Sequence, residues 1–197
     1  MPTLRWRDLV LVVLALAAVV ALRDTEPNYT ERLLPIMVHG VVGERAEARN
    51  FAVQVKRAKL ARAYLVDGRG ADAAPRRVET SGVWMSVLAE VEALQAPGLV
   101  GARILTRDGL VYQGNSDRPP VVVNFTSLRL EPGLPMTGAW FFELPEDQVE
   151  GARLQVFWGA YDGLGGIDHM LDVDLGIDAA QARTLLAEAP DPLDLRG

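Results

Sequence analysis

Apolar and polar residues alternate along most of this chain with the period of two that is typical of β-strands. In the longest such stretch, from Val83 to Ala93, the odd-numbered residues are all apolar or small. Shorter stretches at residues 51–56, 101–105, 110–113, 138–144, 153–158 and 168–177, with strand-like residues at 121–130, bring the total to seven or eight predicted strands. Most of them are separated by glycine or proline turns. No amphipathic helix separates these strands, which excludes a parallel α/β sheet. We therefore predict an all-β fold over residues 40–178, a β-sandwich in preference to a small barrel.

One segment departs from this pattern. From Leu9 to Leu22 the chain is apolar without interruption, and Arg5 and Arg7 precede it. As a helix this run would rise about 21 Å, against about 30 Å for the hydrocarbon core of a bilayer. Three interpretations remain open: an uncleaved signal anchor, a signal peptide cleaved after Ala21, and a buried helix of a soluble protein.

The signal anchor is favoured because no polar region precedes the cleavage point. The basic residues before the run keep that end of the chain in the cytoplasm. The expected organisation is a cytoplasmic N-terminus at residues 1–8, a transmembrane anchor at 9–22 and a stalk at 23–39, followed by the sandwich. The sequence thus predicts a single-pass protein of the cell membrane with an extracytoplasmic domain.

A short helix is predicted to follow the sandwich, with residues 179–197 forming this helix and a loose tail. Asp178 can cap the N-terminus of a helix over residues 179–188, and Gln181 occupies the third helical position of a capping box. Pro190 and Pro192 end the helix, because proline cannot continue an α-helix.

Composition narrows the classes of function. The 197 residues carry a formal net charge of −6 with a pI of about 5.0, which argues against a nucleic-acid partner. There is no cysteine, so disulfides, thiolate metal sites and cysteine nucleophiles are excluded. His39 and His169 are the only histidines, too few for a three-histidine metal centre in one chain.

Several turn phrases occur in an order that resembles a known family. In chain order they are Gly43-Glu44 before a strand pair at residues 50–57 and 58–65, Ser81-Gly82 before a valine-rich strand, Asp108-Gly109 with Tyr112, the turn at residues 130–133, and the aromatic strand that ends at Pro145. Over about residues 40–177 this order resembles the bacterial extracellular domains related to the mycobacterial secreted immunogenic protein.

The resemblance implies an immunoglobulin-like β-sandwich outside the cytoplasm, with a binding role and no established set of catalytic residues. Members of that family sit behind a signal or a lipoprotein anchor. Because this chain lacks the cysteine to which a lipid would be attached, the apolar segment would have to serve as the anchor.

The sequence offers only weak candidates for catalytic and metal-binding groups. No G-x-S-x-G nucleophile elbow is present, and the glycine-rich stretch at residues 163–166 precedes a strand and not a helix. The acidic stretch from Asp168 to Asp178 does not fit a calcium-loop template, and alternation predicts that Asp172 and Asp174 lie on a solvated strand face. Glu90 and Glu92 share one strand face but are interpreted as exposed charges. We expect no enzyme activity, no metal and no cofactor.

Aromatic residues offer the best candidates for a partner or ligand surface. Trp140, Phe141 and Phe142 place rings on both faces of one strand, so one face should be core and the other could contact a partner. The candidate surface comprises Trp140, Phe142, Trp158, Tyr161 and Asp162, with the glycine-rich loop at residues 159–167 beside it. Core and sheet-edge packing is the competing explanation for these rings.

The favoured function is protein–protein interaction, or an accessory role, at the bacterial cell envelope, with the membrane contacted through the segment from Leu9 to Leu22 and an envelope protein as partner. The alternative is an extracytoplasmic small-ligand-binding protein, or a protein secreted after signal cleavage.

Overall fold

The structure, a computed structural model, describes residues 6–25, 34–68, 74–114, 118–119, 123–159 and 168–196. The chain divides into two compact units, Met1–Leu34 and Pro35–Gly197. The first unit contains one helix, and the second contains the β-structure.

Helix α1 spans Trp6–Thr25 and includes the apolar run that the sequence identified. Most of its described large apolar side chains are more than half exposed, as Leu11, Leu14 and Val20 illustrate. In the described part of the chain, no helix combines the length and the apolar character that crossing a membrane requires. The structure therefore gives no support to the predicted transmembrane anchor.

The second unit is a β-sandwich of two sheets. Its described strands are β1 (Ile36–Val41), β2 (Arg45–Glu47), β3 (Phe51–Val66), β4 (Arg76–Ala93), β5 (Val100–Leu105), β6 (Val111–Gln113), β7 (Met136–Leu144), β8 (Arg153–Trp158), β9 (His169–Asp174) and β10 (Leu193–Asp194). The first sheet has the order β1-β9-β8-β5-β6, and the second has the order β10-β3-β4-β7, with β2 also paired to β3. The predicted β-sandwich is confirmed.

Two strands lie where the sequence predicted none or only part of one. Strand β1 falls largely within the stretch assigned to a stalk, yet it pairs in parallel with β9. Strand β10 lies in the predicted loose tail and pairs in parallel with β3. The sequence indicated a short strand at residues 36–38 as one way for the stalk to end, and β1 contains those residues, whereas the loose tail is wrong. Each strand is stabilised by a partner that is distant in sequence.

The strand pair predicted at residues 50–57 and 58–65 is also wrong, because these residues form the single long strand β3. A register shift between Val55 and Arg57 marks a β-bulge, which reverses the phase of the alternation. The strands expected at residues 121–130 are likewise not formed in their described part, where Asn124 and Leu130 make only isolated bridges.

The main core lies between the sheets. As its alternation predicted, β4 contributes one face to this core. Val83, Met85, Val87, Ala89, Val91 and Ala93 are all fully buried there. The alternate residues of β4 lie on the opposite face, where Trp84 is also fully buried. The second sheet is therefore covered on both faces around Trp84, while its outer face is partly exposed at Leu88 and Glu90.

A short helix follows β9 in the chain and precedes β10 of the second sheet. Helix α2 spans Ala179–Ala187, and the Asp178 carboxylate accepts hydrogen bonds from the backbone N–H groups of Ala180 at 2.9 Å and Gln181 at 2.8 Å. The predicted N-cap is confirmed, since these bonds satisfy two N–H groups that lack intrahelical acceptors.

Candidate functional site

The aromatic surface predicted from the sequence is mostly core. Trp140 and Phe142 have no exposed surface and lie between the two sheets, where Trp140 packs against Phe125 with ring centroids 4.8 Å apart. Neither side chain can contact a partner in the folded protein, so the prediction is wrong for both. The competing explanation, core packing, holds because the inward face of β7 carries these two rings.

Trp158 lies at the end of β8 and is partly buried against the core. Its ring stacks on Phe51 with centroids 6.1 Å apart, and it covers Gly98 so closely that a Cβ there would lie 2.3 Å from Trp158 Cζ2. This packing makes Trp158 a structural side chain at the sheet end. Tyr161 and Asp162, the other two members of the predicted surface, lie outside the described residues.

The acidic stretch that ends at Asp178 contributes β9, and its alternation is as predicted, with Leu171 and Val173 in the core. The expected solvation of Asp172 is wrong, however, because this side chain is buried. Arg153 Nε donates to both carboxylate oxygens of Asp172, at 3.0 and 3.1 Å. The exposed Asp174 does match the prediction, and it receives a longer bond of 3.3 Å from Arg153 Nη1.

Asp172 belongs to a row of polar side chains that crosses four strands of the first sheet. In register, His39 of β1 lies opposite Asp172 of β9, Gln155 of β8 lies opposite Asp172, and Arg103 of β5 lies opposite Gln155. Arg103 Nε donates to Gln155 Oε1 at 2.8 Å, and His39 Nδ1 lies 3.5 Å from Asp172 Oδ2.

This polar row is a set of matched hydrogen-bond donors and acceptors. Both oxygens of Asp172 accept from the Arg153 guanidinium, and this hydrogen bond is the main cause that raises the pKa of Arg153. Burial of Asp172 and Gln155 is tolerated because each is hydrogen-bonded.

Carboxylates elsewhere are also paired with cations. Glu90 lies 3.7 Å from Lys56 Nζ, and Glu92 accepts from Arg45 Nη2 at 2.8 Å. Among the residues that the structure describes, no group of three or more histidine and acidic side chains is placed to hold a metal ion. The first pair links the neighbouring strands β3 and β4, and the second links β2 to β4 across β3.

The exposed apolar residues of the sandwich identify a different candidate, the edge strand β1. It is the first strand of its sheet, and only β9 pairs with it in the described part of the chain. Ile36, Met37 and Val41 are 59%, 38% and 46% exposed. Natural sheets usually protect such an edge with lysine, proline or a bulge, and none of these occurs between Ile36 and Val41.

A second candidate lies on the outer face of the second sheet, where Tyr64, Trp84 and Phe141 form an aromatic cluster. The Tyr64 ring lies 5.4 Å from that of Trp84 and 5.6 Å from that of Phe141. Arg118 covers one side, with its guanidinium carbon 5.6 Å from the Trp84 ring centroid. Leu193 and Leu195, on either side of Asp194, pack against the same cluster.

Sequence reasoning missed this outer cluster. The predicted partner surface held Trp140 and Phe142, which placed Phe141 on the opposite face of the same strand, and nothing local indicates what covers an outer face. The available signal was the spacing of Leu193 and Leu195, which has the period of a strand in a stretch that was taken to be a loose tail.

Comparisons with known proteins identify no family for this chain. No family model matches the chain, and no curated protein matches it. An uncharacterised β-sandwich protein from Clostridium difficile superposes with a TM-score of 0.46 at 12% identity, covering 76% of this chain and 99% of that one. The yjhA protein of Bacillus subtilis gives the same TM-score and identity, covering 70% of this chain and 100% of its own.

Proposed function

We propose that this protein is a non-catalytic protein-interaction module of the bacterial cell envelope, with an immunoglobulin-like sandwich that binds an extended segment of an envelope protein along the edge of β1. The proposal includes the extracytoplasmic location and the kinship with the mycobacterial secreted immunogenic protein that the turn phrases indicate. The observation that carries it is the exposed, unprotected apolar edge at Ile36, Met37 and Val41.

The backbone of β1 supports strand addition. The N–H of Ile36 donates to the carbonyl of Asp168 at 2.8 Å, so this residue bonds toward β9. Because alternate residues of a parallel strand bond to the same neighbour, the N–H groups of Met37 and His39 point to the free edge. An incoming strand would take its affinity from these main-chain groups and its specificity from the flanking apolar side chains.

The proposed position at the membrane rests on the apolar sequence of residues 9–22. A helix that is apolar on every side has no solvated face, and lipid is one environment that suits such a surface. Arg5 and Arg7 before the apolar run favour a cytoplasmic N-terminus, which would direct the sandwich outward.

The test is photo-crosslinking of the full-length protein in its native membranes, with the photoreactive side chain placed at His39, followed by identification of the captured protein. We expect one predominant envelope protein, and we expect Met37→Pro to abolish its capture because proline removes the outward N–H without touching the bonds to β9. Leu134→Lys is the control, since Leu134 is also exposed, at 62%, but lies just before β7 and not in β1. Equal capture by wild type and Met37→Pro would refute binding at the β1 edge.

The alternative function, small-ligand binding or secretion after signal cleavage, has its own signature. A mature protein that lacks residues 1–21 by mass would overturn the membrane anchor. A melting temperature raised by a small molecule, with no protein captured, would favour the ligand-binding alternative.

A further inference from the structure

The outer cluster of the second sheet is covered by an extended segment of the chain itself, residues 190–196. We call the surface beneath it the β3 groove, formed by the edge of β3 from Arg62 to Val66 and by the side chains of Tyr64, Val66 and Val78 beside it. The main core is complete without this segment, because Leu193 and Leu195 pack only against the outer cluster.

The segment is bound through its backbone in the manner of an added strand. The carbonyl of Pro190 accepts from the N–H of Arg62 at 2.9 Å, and the N–H of Leu195 donates to the carbonyl of Leu65 at 2.9 Å. Between these bonds, Leu193 pairs with Tyr64 and Asp194 with Leu65 in parallel register. This geometry accepts any extended segment that offers the same backbone groups.

Side chains of the segment add a recognisable pattern. Leu193 and Leu195 face the aromatic cluster, and Asp194 between them is exposed. Asp191 forms an ion pair with Arg77 of β4, and this pair raises the pKa of the Arg77 guanidinium. The groove therefore selects an acidic residue, then one apolar residue two positions later and another two positions after that.

The contact is small for a permanent part of the fold. Only two residues of the segment form a ladder with β3, and both leucines remain partly exposed. Elements with few buried contacts open locally at a lower free energy than the global unfolding of the domain.

From these observations we propose that the β3 groove is a peptide-recognition site which the protein's own residues 190–196 occupy, and from which a partner protein's extended segment of the pattern acidic-x-apolar-x-apolar displaces them. The site is separate from the β1 edge. Its resident segment competes with any partner at an effective concentration on the order of millimolar, because a short linker joins it to α2.

The test uses the full-length protein with Leu193→Asp and Leu195→Asp, which disable the resident segment, and a fluorescein-labelled peptide of residues 191–197 as the probe. We expect saturable binding to the double variant at least tenfold tighter than to wild type, measured by fluorescence anisotropy. A peptide carrying aspartate at both leucine positions is the matched control and should not bind. Equal binding to wild type and variant would overturn the proposal.

Exchanging the charges of Arg77 and Asp191 tests whether the peptide lies in the β3 groove. Arg77→Glu added to the double variant should weaken peptide binding, and a peptide with arginine in place of Asp191 should restore it. The same reversal at the neighbouring Arg76 keeps the net charge identical and should leave binding unchanged. If Arg76→Glu and Arg77→Glu act equally, the peptide is attracted only by overall charge and the proposed site is wrong.

Hydrogen exchange on the unmodified protein gives a result that does not depend on how the variants fold. The Leu195 amide should exchange through local opening, at a rate insensitive to low concentrations of denaturant, while the β3–β4 ladder stays protected. Exchange of Leu195 only on global unfolding would overturn the proposal. Because Met37→Pro does not alter the β3 groove, failure of β1-dependent capture and failure of peptide binding are distinguishable.

Discussion

Arg153 of β8 holds the buried Asp172 of β9 by donating one N–H to both carboxylate oxygens, at 3.0 and 3.1 Å. The pair lies diagonally across the ladder, since the residue opposite Arg153 in register is Asp174. A row of polar side chains therefore lies on the outer face of the first sheet, where Asp172 and Gln155 are buried and His39 is exposed.

Loss of this pair should destabilise the sandwich. Asp172→Asn removes a charged acceptor and leaves the Arg153 guanidinium partly buried without its main partner, at a cost of about 2 kcal/mol in the free energy of unfolding. Asp174→Asn is the matched control, because this exposed partner of the same arginine should cost less than about 1 kcal/mol. Urea denaturation measures both, and equal losses would show that burial of Asp172 has no energetic consequence.

Substitution of Gly82 in β4 should destabilise the sandwich more than loss of the Arg153–Asp172 pair does. A Cβ at this residue would lie 2.1 Å from the backbone oxygen of Leu144, and a backbone oxygen cannot rotate away as a side chain can. Gly82→Ala should therefore cost about 3 kcal/mol, the upper end for overpacking.

Gly98→Ala provides the comparison for Gly82. Its Cβ would meet the Trp158 ring at 2.3 Å, a side chain at the sheet end that has more freedom to move. We expect the midpoint of urea denaturation to fall further for Gly82→Ala than for Gly98→Ala. The reverse order would mean that the backbone at Leu144, at the end of β7, moves more easily than the Trp158 ring.

The sequence was sufficient where a segment's fold depends on its own pattern. The alternation of β4 predicted which side chains enter the core, and Asp178 predicted the start of α2, because both signals are local. The same reasoning failed at the bulge between Val55 and Arg57. One extra residue there reverses the phase of the apolar–polar alternation, so that one strand resembles two.

Sites on the sheet faces could not be predicted in this way. Trp140 and Phe141 are neighbours with opposite environments, and both are buried because the second sheet is covered on both sides. The burial of Asp172 depends on Arg153, which belongs to another strand. Such facts follow from contacts between distant segments, and a single sequence carries no local trace of them.

Removal of the Asp178 cap of α2 should cause a modest loss of stability. Asp178→Ala removes two hydrogen bonds to the first turn and should lower the free energy of unfolding by about 1 kcal/mol. Asp178→Asn keeps an accepting oxygen and should retain most of that stability. Urea denaturation followed by circular dichroism checks both, and an equal loss in the two variants would show that charge, not capping, is responsible.

Tyr64 should make the sandwich sensitive to alkaline pH. Its ring is buried in the outer cluster, and burial raises the pKa of its phenol, with only a partial opposing influence from Ser86. The unfolded chain releases this proton near pH 10, whereas the folded protein retains it. Stability is therefore fully present below about pH 10 and is lost as the pH rises above that value.

Tyr64→Phe isolates this contribution. The Tyr64 hydroxyl has no hydrogen-bond partner among the described residues, and the Ser86 hydroxyl donates instead to the carbonyl of Lys59 at 3.4 Å. Removing the phenol should raise the free energy of unfolding by about 1 kcal/mol at neutral pH and flatten the decline above pH 10. Tyr112→Phe, which leaves Tyr64 in place, should keep the alkaline decline seen in the wild type. Urea denaturation at pH 7 and pH 11 decides the point, and a Tyr64→Phe variant that declines as steeply as wild type would assign the alkaline sensitivity to other groups.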